Sequence, residues 1–290
     1  MVVSDAVDLC IVIPAHNEAD TIGDQLNALS HQRWTGSWEI IVVDNGSTDG
    51  TATAATHPLL TDRLRVIRAT NGASASYARN VGTQHSQAAA FAFCDADDLV
   101  GPSWVQAIGD ALRKCPIVTG PNELDRLNPS WLADSRGRGD EASVGTFHGI
   151  FPCVRGNNFG VRREVWEALG GLDESVTHCE DLEFSMRAWK AGYEIFGAPD
   201  AFVHYRYRTT ISALWNQGFN YGRQRPGIVR RLRELELATP SRFVGWKSWI
   251  KLVFDLPTLA TATGRRRWAW TAGNRAGHLV GSINYRTVAL

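Results

Sequence analysis

The run Phe91-Ala92-Phe93-Cys94-Asp95-Ala96-Asp97-Asp98 constrains the fold more than any other stretch. An apolar segment that stops abruptly at three carboxylates has the pattern of a buried parallel strand delivering acid groups to one end of a sheet. It predicts a strand over Ala89 to Cys94 and a loop over Asp95 to Asp98. Like charges this close repel unless a cation or hydrogen-bond donors offset them, and hard divalent ions take oxygen ligands of this kind. A metal-diphosphate site is one reading of the tip. A solvated acidic turn ahead of the helix that Gly101, Pro102 and Ser103 begin is the other.

The segments around this strand repeat its logic. Leu9 to Ile13 is an apolar run ended by Pro14, and Asn17 is placed to cap a helix carrying Ile22, Leu26 and Leu29 on one face. Glu39 to Val43 predicts a second strand closing on Asp44, Asn45 and Gly46, and Leu64 to Ile67 a third. Asn71 and Gly72 turn the chain into a helix from about Ser74 to Ser86. Strand and helix alternate with short connections, so the expected fold is α/β, a Rossmann-like, mainly parallel sheet with flanking helices. Ligands of such sheets lie beyond the carboxyl ends of the strands, where the Pro14 to Glu18, Asp44 to Gly50 and Asp95 to Asp98 loops converge. Asp44 can accept hydrogen bonds there from a base or ribose. The absence of a GxGxxG after the first strand disfavours a dinucleotide oxidoreductase, and the absence of GxxxxGK[ST] disfavours a P-loop nucleotidase.

Further along, Trp104, Ile108 and Leu112 form a helical stripe and Ile117 to Thr119 another strand. Asn122 to Gly149 has weak periodicity and is too long for a simple connection, so it reads as a lid, a binding segment or an ordered excursion. The polar cluster Arg155 to Gly160 precedes a short helix with Val165, Trp166 and Leu169. Glu180 and Asp181 start the next helix, whose face is Leu182, Met186 and Trp189. Acids at a helix N-terminus need no function, since the macrodipole favours them; a carboxylate aimed into a cleft to take a proton is the functional alternative. Ala201 to Tyr205 reads as a strand carrying His204, a packed residue or a ligand.

A chain of 290 residues with 44% hydrophobic and 21% charged residues is expected to fold without extensive disorder. Its formal charge is zero but unevenly spread. From Arg206 onward Arg and Lys far outnumber Glu234, Glu236 and Asp255, which points to an anionic partner or a solvated surface. Five cysteines without a CxxC pair argue against a disulfide framework or zinc knuckle. With no apolar signal segment at the start and no apolar run near the ~20 residues that span a bilayer, a cytoplasmic protein is expected, with contact to the inner membrane face left open.

Taken in order, IVIPAHNEADTI, IIVVDNGSTDGT, GASASYARNVG, FAFCDADD, RGNNFGVRREVWEALGGLDE and CEDLEFSMRAWKAGY resemble glycosyltransferase family 2, with its A-type glycosyltransferase fold, over about Leu9 to Phe196. The resemblance implies a nucleotide-diphosphate sugar donor across the strand tips and Mg2+ or Mn2+ on its diphosphate. It places Asp44 at the base or ribose, Arg79 near the nucleotide, and Asp95 and Ala96 at the nucleotide or metal. Asp97 and His204 would be metal ligands. Pro14, His16 and Glu18 border the nucleotide, as does Asn45, where family members commonly carry a second acid. Asp181 matches the catalytic base, and Glu180 orients it or meets the acceptor. The implied reaction is an inverting transfer to a hydroxyl of a carbohydrate or lipid-linked acceptor, such as a cell-envelope glycan, with no nucleic acid partner. Uridine, guanosine and thymidine donors all remain open.

The resemblance ends near Thr209, so residues 1–208 are expected to form the nucleotide-sugar-binding domain and 209–290 a helical, basic, Trp-rich region. There Thr209 or Thr210 can cap a helix, and Trp246, Trp249, Ile250 and Val253 recur at helical spacing beside Lys247 and Lys251. Packing against the rest of the chain, a second copy, or an anionic membrane surface each fits that stripe. Two competing functions share the acidic tips: a sugar-phosphate nucleotidyltransferase, which would carry a glycine-rich basic loop after the first strand, and a non-catalytic sugar-nucleotide-binding protein.

Overall fold

A computed structural model describes residues 7–136, 144–241 and 245–287. They divide into two compact units, one of described residues 7–124, 144–146 and 151–206, the other of 125–136, 147–150, 207–241 and 245–287.

The strands are β1 (Leu9–Ala15), β2 (Trp38–Asp44), β3 (Leu64–Arg68), β4 (Ala90–Cys94), β5 (Leu99–Val100), β6 (Ile117–Thr119), β7 (Asn122–Glu123), β8 (Gly145–Phe147), β9 (Phe151–Cys153), β10 (Asn158–Arg162), β11 (Ile195–Gly197) and β12 (Val203–His204). The helices are α1 (Ile22–Ser30), α2 (Thr51–Ala54), α3 (Ala75–Gln84), α4 (Trp104–Leu112), α5 (Ser130–Arg136), α6 (Arg163–Leu169), α7 (Glu180–Lys190), α8 (Ile211–Glu234), α9 (Trp246–Phe254) and α10 (Ala262–Asn284).

In the first unit a seven-stranded sheet runs β11-β6-β10-β4-β1-β2-β3. Its pairs are parallel except at β10, which runs antiparallel to both β4 and β6. Alternation along the strands splits the core into two layers. Ile11, Ile13, Ile40, Val42 and Ala92 face Ile22, Leu26, Leu29, Trp104, Ile108 and Leu112, whereas Cys10, Val12, Ile41, Phe91 and Phe93, joined on the same side by Phe159 and Val161, face Trp166 and Phe184. Each large side chain buried this way contributes about 1.5–3 kcal/mol.

Three local departures from expectation have simple causes. Pro14 lies within β1 instead of ending it: pairing with β4 stops at Val12, while pairing with β2 continues to Ala15–Asp44. A residue without an N–H is tolerated where one neighbouring strand has ended. Asn17, with φ of 57°, does not cap α1; its carboxamide oxygen accepts from the Thr48 N–H at 2.9 Å, and Thr21 stands at the cap position. The cluster Arg155 to Gly160, read from sequence as polar, runs into the antiparallel strand Asn158–Arg162 in mid-sheet. Gly160 lets α4 approach it, since a Cβ there would sit 2.9 Å from Leu112 Cδ1.

A smaller sheet, β5-β12-β7, continues from the acidic tip. His204 is in register with Leu99 on one side and Glu123 on the other. The predicted Ala201 to Tyr205 strand shrinks to Val203–His204. The Asn122 to Gly149 excursion contributes β7, α5 and β8, and its residues 137–143 lie outside the described residues.

The second unit is built on α8 and α10. Thr210 caps α8 by accepting the Ala213 N–H at 3.2 Å. The two helices meet backbone to backbone: a Cβ at Gly222 would come 2.0 Å from the Asn274 carbonyl oxygen, and one at Gly277 would come 2.1 Å from that of Phe219. On α9, Leu252 is buried and its carbonyl accepts from Trp268 Nε1 at 3.0 Å. Among the described residues none covers most of the predicted stripe, with Trp246 50%, Ile250 42% and Val253 66% exposed, as is Phe254 at 77%. Among the described residues no helix is long and apolar enough to cross a membrane.

Candidate active site

The site forms where β1, β2 and β4 end. Beyond β2, Asp44 is buried, accepts the Ser47 N–H at 3.0 Å and has Arg68 Nε at 3.9 Å. Asn45 donates its amide to the carbonyls of Ala69 and Gly72 at 2.9 and 2.7 Å, so it ties the β2 tip to the chain after β3. An acid could not make those two donations, which accounts physically for an amide at this position. Its own carbonyl is held by His16 Nδ1 at 2.8 Å. Glu18 is anchored through its N–H to Thr51 Oγ1 at 2.8 Å, and its carboxylate accepts the Thr21 hydroxyl at 2.7 Å. Pro14, His16, Glu18, Asp44 and Asn45 thus stand on adjoining strand tips, with much of their polar capacity spent on holding the loops.

Beyond β4, Asp95, Asp97 and Asp98 present carboxylate oxygens within 4.8 Å of one another. Ala96 packs its methyl group into the core and can offer a ligand only its backbone. The loop is held from several sides. Gln25 Nε2 donates to the Asp95 carbonyl at 3.0 Å and Arg206 Nε to that of Asp97 at 2.8 Å. Asp98 accepts from Asn157 Nδ2 at 2.7 Å and from the Arg206 N–H at 2.8 Å. Burial, reinforced by the charges of Asp95 and Asp97, raises the Asp98 carboxyl well above the usual carboxylate range.

Arg79 on α3 reaches this loop and the start of α7 together. Its guanidinium is 2.8 Å from Asp95 Oδ1 and 2.8 Å from Glu180 Oε1, and it is almost fully buried. Burial opposes its charge, but Asp95 and Glu180 more than offset that and hold it protonated. Glu180 therefore meets a cation of the chain itself. Asp181, next along, accepts the N–H groups of Leu182 at 2.8 Å and Gly156 at 3.3 Å. Gly156 stands so close that a Cβ there would be 3.4 Å from that of Asp181. Burial and then the Glu180 charge push the Asp181 carboxyl up to about 6, against those two N–H groups and the Arg79 cation.

His204 lies just beyond the acid loop in β12, buried, with Nδ1 hydrogen-bonded to Glu123 Oε2. It is not one of the three residues whose ligand atoms gather at the β4 tip. Sequence reasoning missed Glu123, Arg206 and Asn157 as supports of this region. Asn157 carried a signal in the Asn157-Asn158 pair, but Glu123 and Arg206 act across 81 and 109 residues of chain, and no local pattern marks them.

The fold matches solved structures of the A-type glycosyltransferase class. A mannosyltransferase of Pyrobaculum calidifontis, solved in complex with GDP-Man and Mn2+, superposes with a TM-score of 0.66 at 18% identity, over 97% of this chain and 88% of that one. TarS of S. aureus, residues 1–349 in complex with UDP-GlcNAc, gives a TM-score of 0.55 at 16% identity, over 97% of this chain and 93% of that one. Residues 10–169 match the family model described as glycosyl transferase family 2, and residues 90–272 match glycosyl transferase family group 2; the chain belongs to glycosyl transferase family 2. Among curated relatives, glycosyltransferase AglE of Haloferax volcanii is 28% identical over 66% of this chain. The match spans 64% of AglE's own length.

Proposed function

We propose that this chain transfers a sugar from a nucleoside-diphosphate donor to an acceptor hydroxyl with inversion at the anomeric carbon. The observation that carries the reading is the chain of contacts from the Asp95, Asp97 and Asp98 cluster through Arg79 to Glu180, beside the half-buried carboxyl of Asp181. Neighbours of the same fold bind GDP-Man and UDP-GlcNAc, which supports a nucleotide sugar lying across the strand tips.

Three carboxylates within 4.8 Å, one of them buried and forced toward protonation by its neighbours, fit Mg2+ or Mn2+, which takes oxygen ligands. Asp97 would hold the ion, with Asp95 divided between it and Arg79. His204 is a candidate ligand because a ring whose Nδ1–H is donated to Glu123 carries its lone pair on Nε2, the usual arrangement of a metal-binding histidine. Such an ion supplies electrostatic stabilisation of the diphosphate.

In the transfer, the Asp181 carboxylate takes the proton of the acceptor hydroxyl as its oxygen bonds to the anomeric carbon. The bond from that carbon to the diphosphate oxygen breaks on the opposite face, and its electron pair leaves with the nucleoside diphosphate. A base with pKa of about 6 is ionised at neutral pH yet takes a proton more readily than an ordinary aspartate. Asp44 and Arg68 face the base and ribose. The exposed Trp246, Ile250, Val253 and Phe254 beside Lys247 favour a lipid-linked acceptor, met by the enzyme at the cytoplasmic membrane face.

Incubation with a panel of nucleotide sugars and Mn2+, followed by release of free nucleoside diphosphate, tests the reading. Asp181→Asn is expected to lower transfer ~100- to 10,000-fold with donor affinity retained. Undiminished transfer in that variant would remove Asp181 as the base, and full activity in chelated enzyme would remove the ion.

A further inference from the structure

In the second unit two neighbouring arginines keep guanidinium nitrogens that meet no partner among the described residues. Arg275 on α10 is 6% exposed, and Arg225 on α8 is half-buried. They are brought near each other by the glycine contact between the helices. Because a Cβ on Gly222 would lie 2.0 Å from the Asn274 carbonyl oxygen and 3.0 Å from the His278 nitrogen, the next turn of α8 and the residue after Asn274 share one thin layer.

Arg275 donates Nη2–H to Asn274 Oδ1 at 2.7 Å, but its Nη1 is buried without a partner, and so is Nε of Arg225. Among the described residues no carboxylate pairs with either guanidinium. Burial and then the Arg225 charge lower Arg275 to about 10, so it stays protonated at neutral pH. Leaving a buried cation unpaired costs several kcal/mol, and proteins rarely retain one without a counter-charge. His148 stands exposed in a left-handed turn, φ 51°, closed by the Ile150 N–H on the Phe147 carbonyl at 2.9 Å. Partial burial of the ring and then the charges of Arg225 and Arg275 lower its pKa, so it lies within electrostatic range of both.

We propose that Arg225 and Arg275, with His148 at the solvent-facing rim, form a binding site for a phosphate oxyanion. Two guanidiniums offer more donors and charge than one carboxylate satisfies, whereas a phosphate dianion presents three acceptor oxygens and accepts forked donation. The site uses residues of the second unit alone and none of the donor-binding residues. It therefore stands or falls separately from the transfer reaction. The phosphate belongs either to a soluble phosphorylated molecule or to a lipid headgroup.

The probe is inorganic phosphate, titrated against the full-length chain at constant ionic strength with thermal melting and 31P line width as readouts. A saturable rise in Tm is expected, absent with chloride, and Arg225→Gln and Arg275→Gln are expected to weaken it at least tenfold. In phosphate-free buffer Arg225→Gln should melt no lower than the parent, because it removes an unpaired cation; a merely structural arginine would give the opposite. Should Arg275→Gln fail to fold, His148→Gln on the exposed rim replaces it, with a two- to fivefold loss expected. Co-sedimentation with phosphatidylglycerol or phosphatidylcholine vesicles then separates the sources. Arginine-dependent binding of free phosphate or of phosphatidylglycerol vesicles supports the site; binding of neither, or a response in both glutamine variants undiminished from the parent's, overturns it. Nucleotide-sugar turnover by Arg225→Gln, measured alongside, reports independently on the transfer reading.

Discussion

The acidic edge of the sheet and the cationic layer between the parallel helices α8 and α10 each concentrate one sign of charge, and they differ in how much of it the chain neutralises itself. At the edge, Arg79 stands 2.8 Å from both Asp95 and Glu180, and Arg206 and Asn157 donate to the same loop. Between α8 and α10, Arg225 and Arg275 meet no acid among the described residues. A chain with 30 basic and 30 acidic residues thus carries two local imbalances that its zero net charge conceals. Binding sites for charged ligands arise where neutralisation is left incomplete, and the two regions stand at different degrees of completion.

Removing the neutralising cation at the edge gives the largest expected effect. Arg79→Ala leaves Asp95 and Glu180 facing each other without a buried counter-charge, and a loss of about 3–5 kcal/mol is expected by denaturant unfolding at neutral pH. The contrast with Arg225→Gln is sharp: one arginine is indispensable because it is paired, the other is tolerated because it is not. If both substitutions destabilise equally, the distinction between the regions fails.

Asp181 offers a pH-dependent measure of the same edge. Its folded pKa of about 6 lies above the ordinary value of 3.8, so burial favours the neutral form. The two states are equally protonated below pH 3, stability falls as pH rises from about 4 to 6, and the deficit persists above that. Asp181→Asn is accordingly expected to be more stable than the parent at pH 8 by up to about 3 kcal/mol and indistinguishable from it at pH 3. The transfer rate of the parent should fall tenfold per pH unit below about 6. A flat difference in stability between pH 3 and 8 would show that the carboxyl is not perturbed.

The smallest effect concerns the packing of α8 on α10. Gly222→Ala forces a methyl group against the Asn274 carbonyl, and a cost of about 1–3 kcal/mol is expected, visible as a lower Tm. Because the helices must part to admit it, phosphate affinity should drop in the same variant while donor binding stays unchanged. Retained phosphate affinity would show that the close approach of α8 and α10 does not shape the site.

Much of this was legible in one dimension. Apolar runs of strand length, helical stripes and the acidic end of Phe91 to Asp98 depend on periods of two and 3.6 residues, which are local properties of the chain. They sufficed for the α/β class and for which strand ends carry the acids, while the family rested on the ordered series of motifs from about Leu9 to Phe196. The reach of that reading ended where polar groups found partners far along the chain. Asn158, fully buried, joins Trp104 Nε1 at 2.8 Å to the Pro121 and Ala201 carbonyls at 3.0 and 2.8 Å; only those partners make a mid-sheet strand of a segment that begins Asn157-Asn158.

Residue order alone thus determined which elements form and which end of the sheet carries the acids, because the hydrophobic effect acts on patterns a few residues long. Tertiary structure alone decided that Arg79 binds Glu180 across 101 residues, that Glu123 holds His204, that the tryptophan face of α9 stays in solvent, and that Arg225 and Arg275 share a layer without an acid. Electrostatic pairing depends on distance in space, and only the packed chain sets that distance.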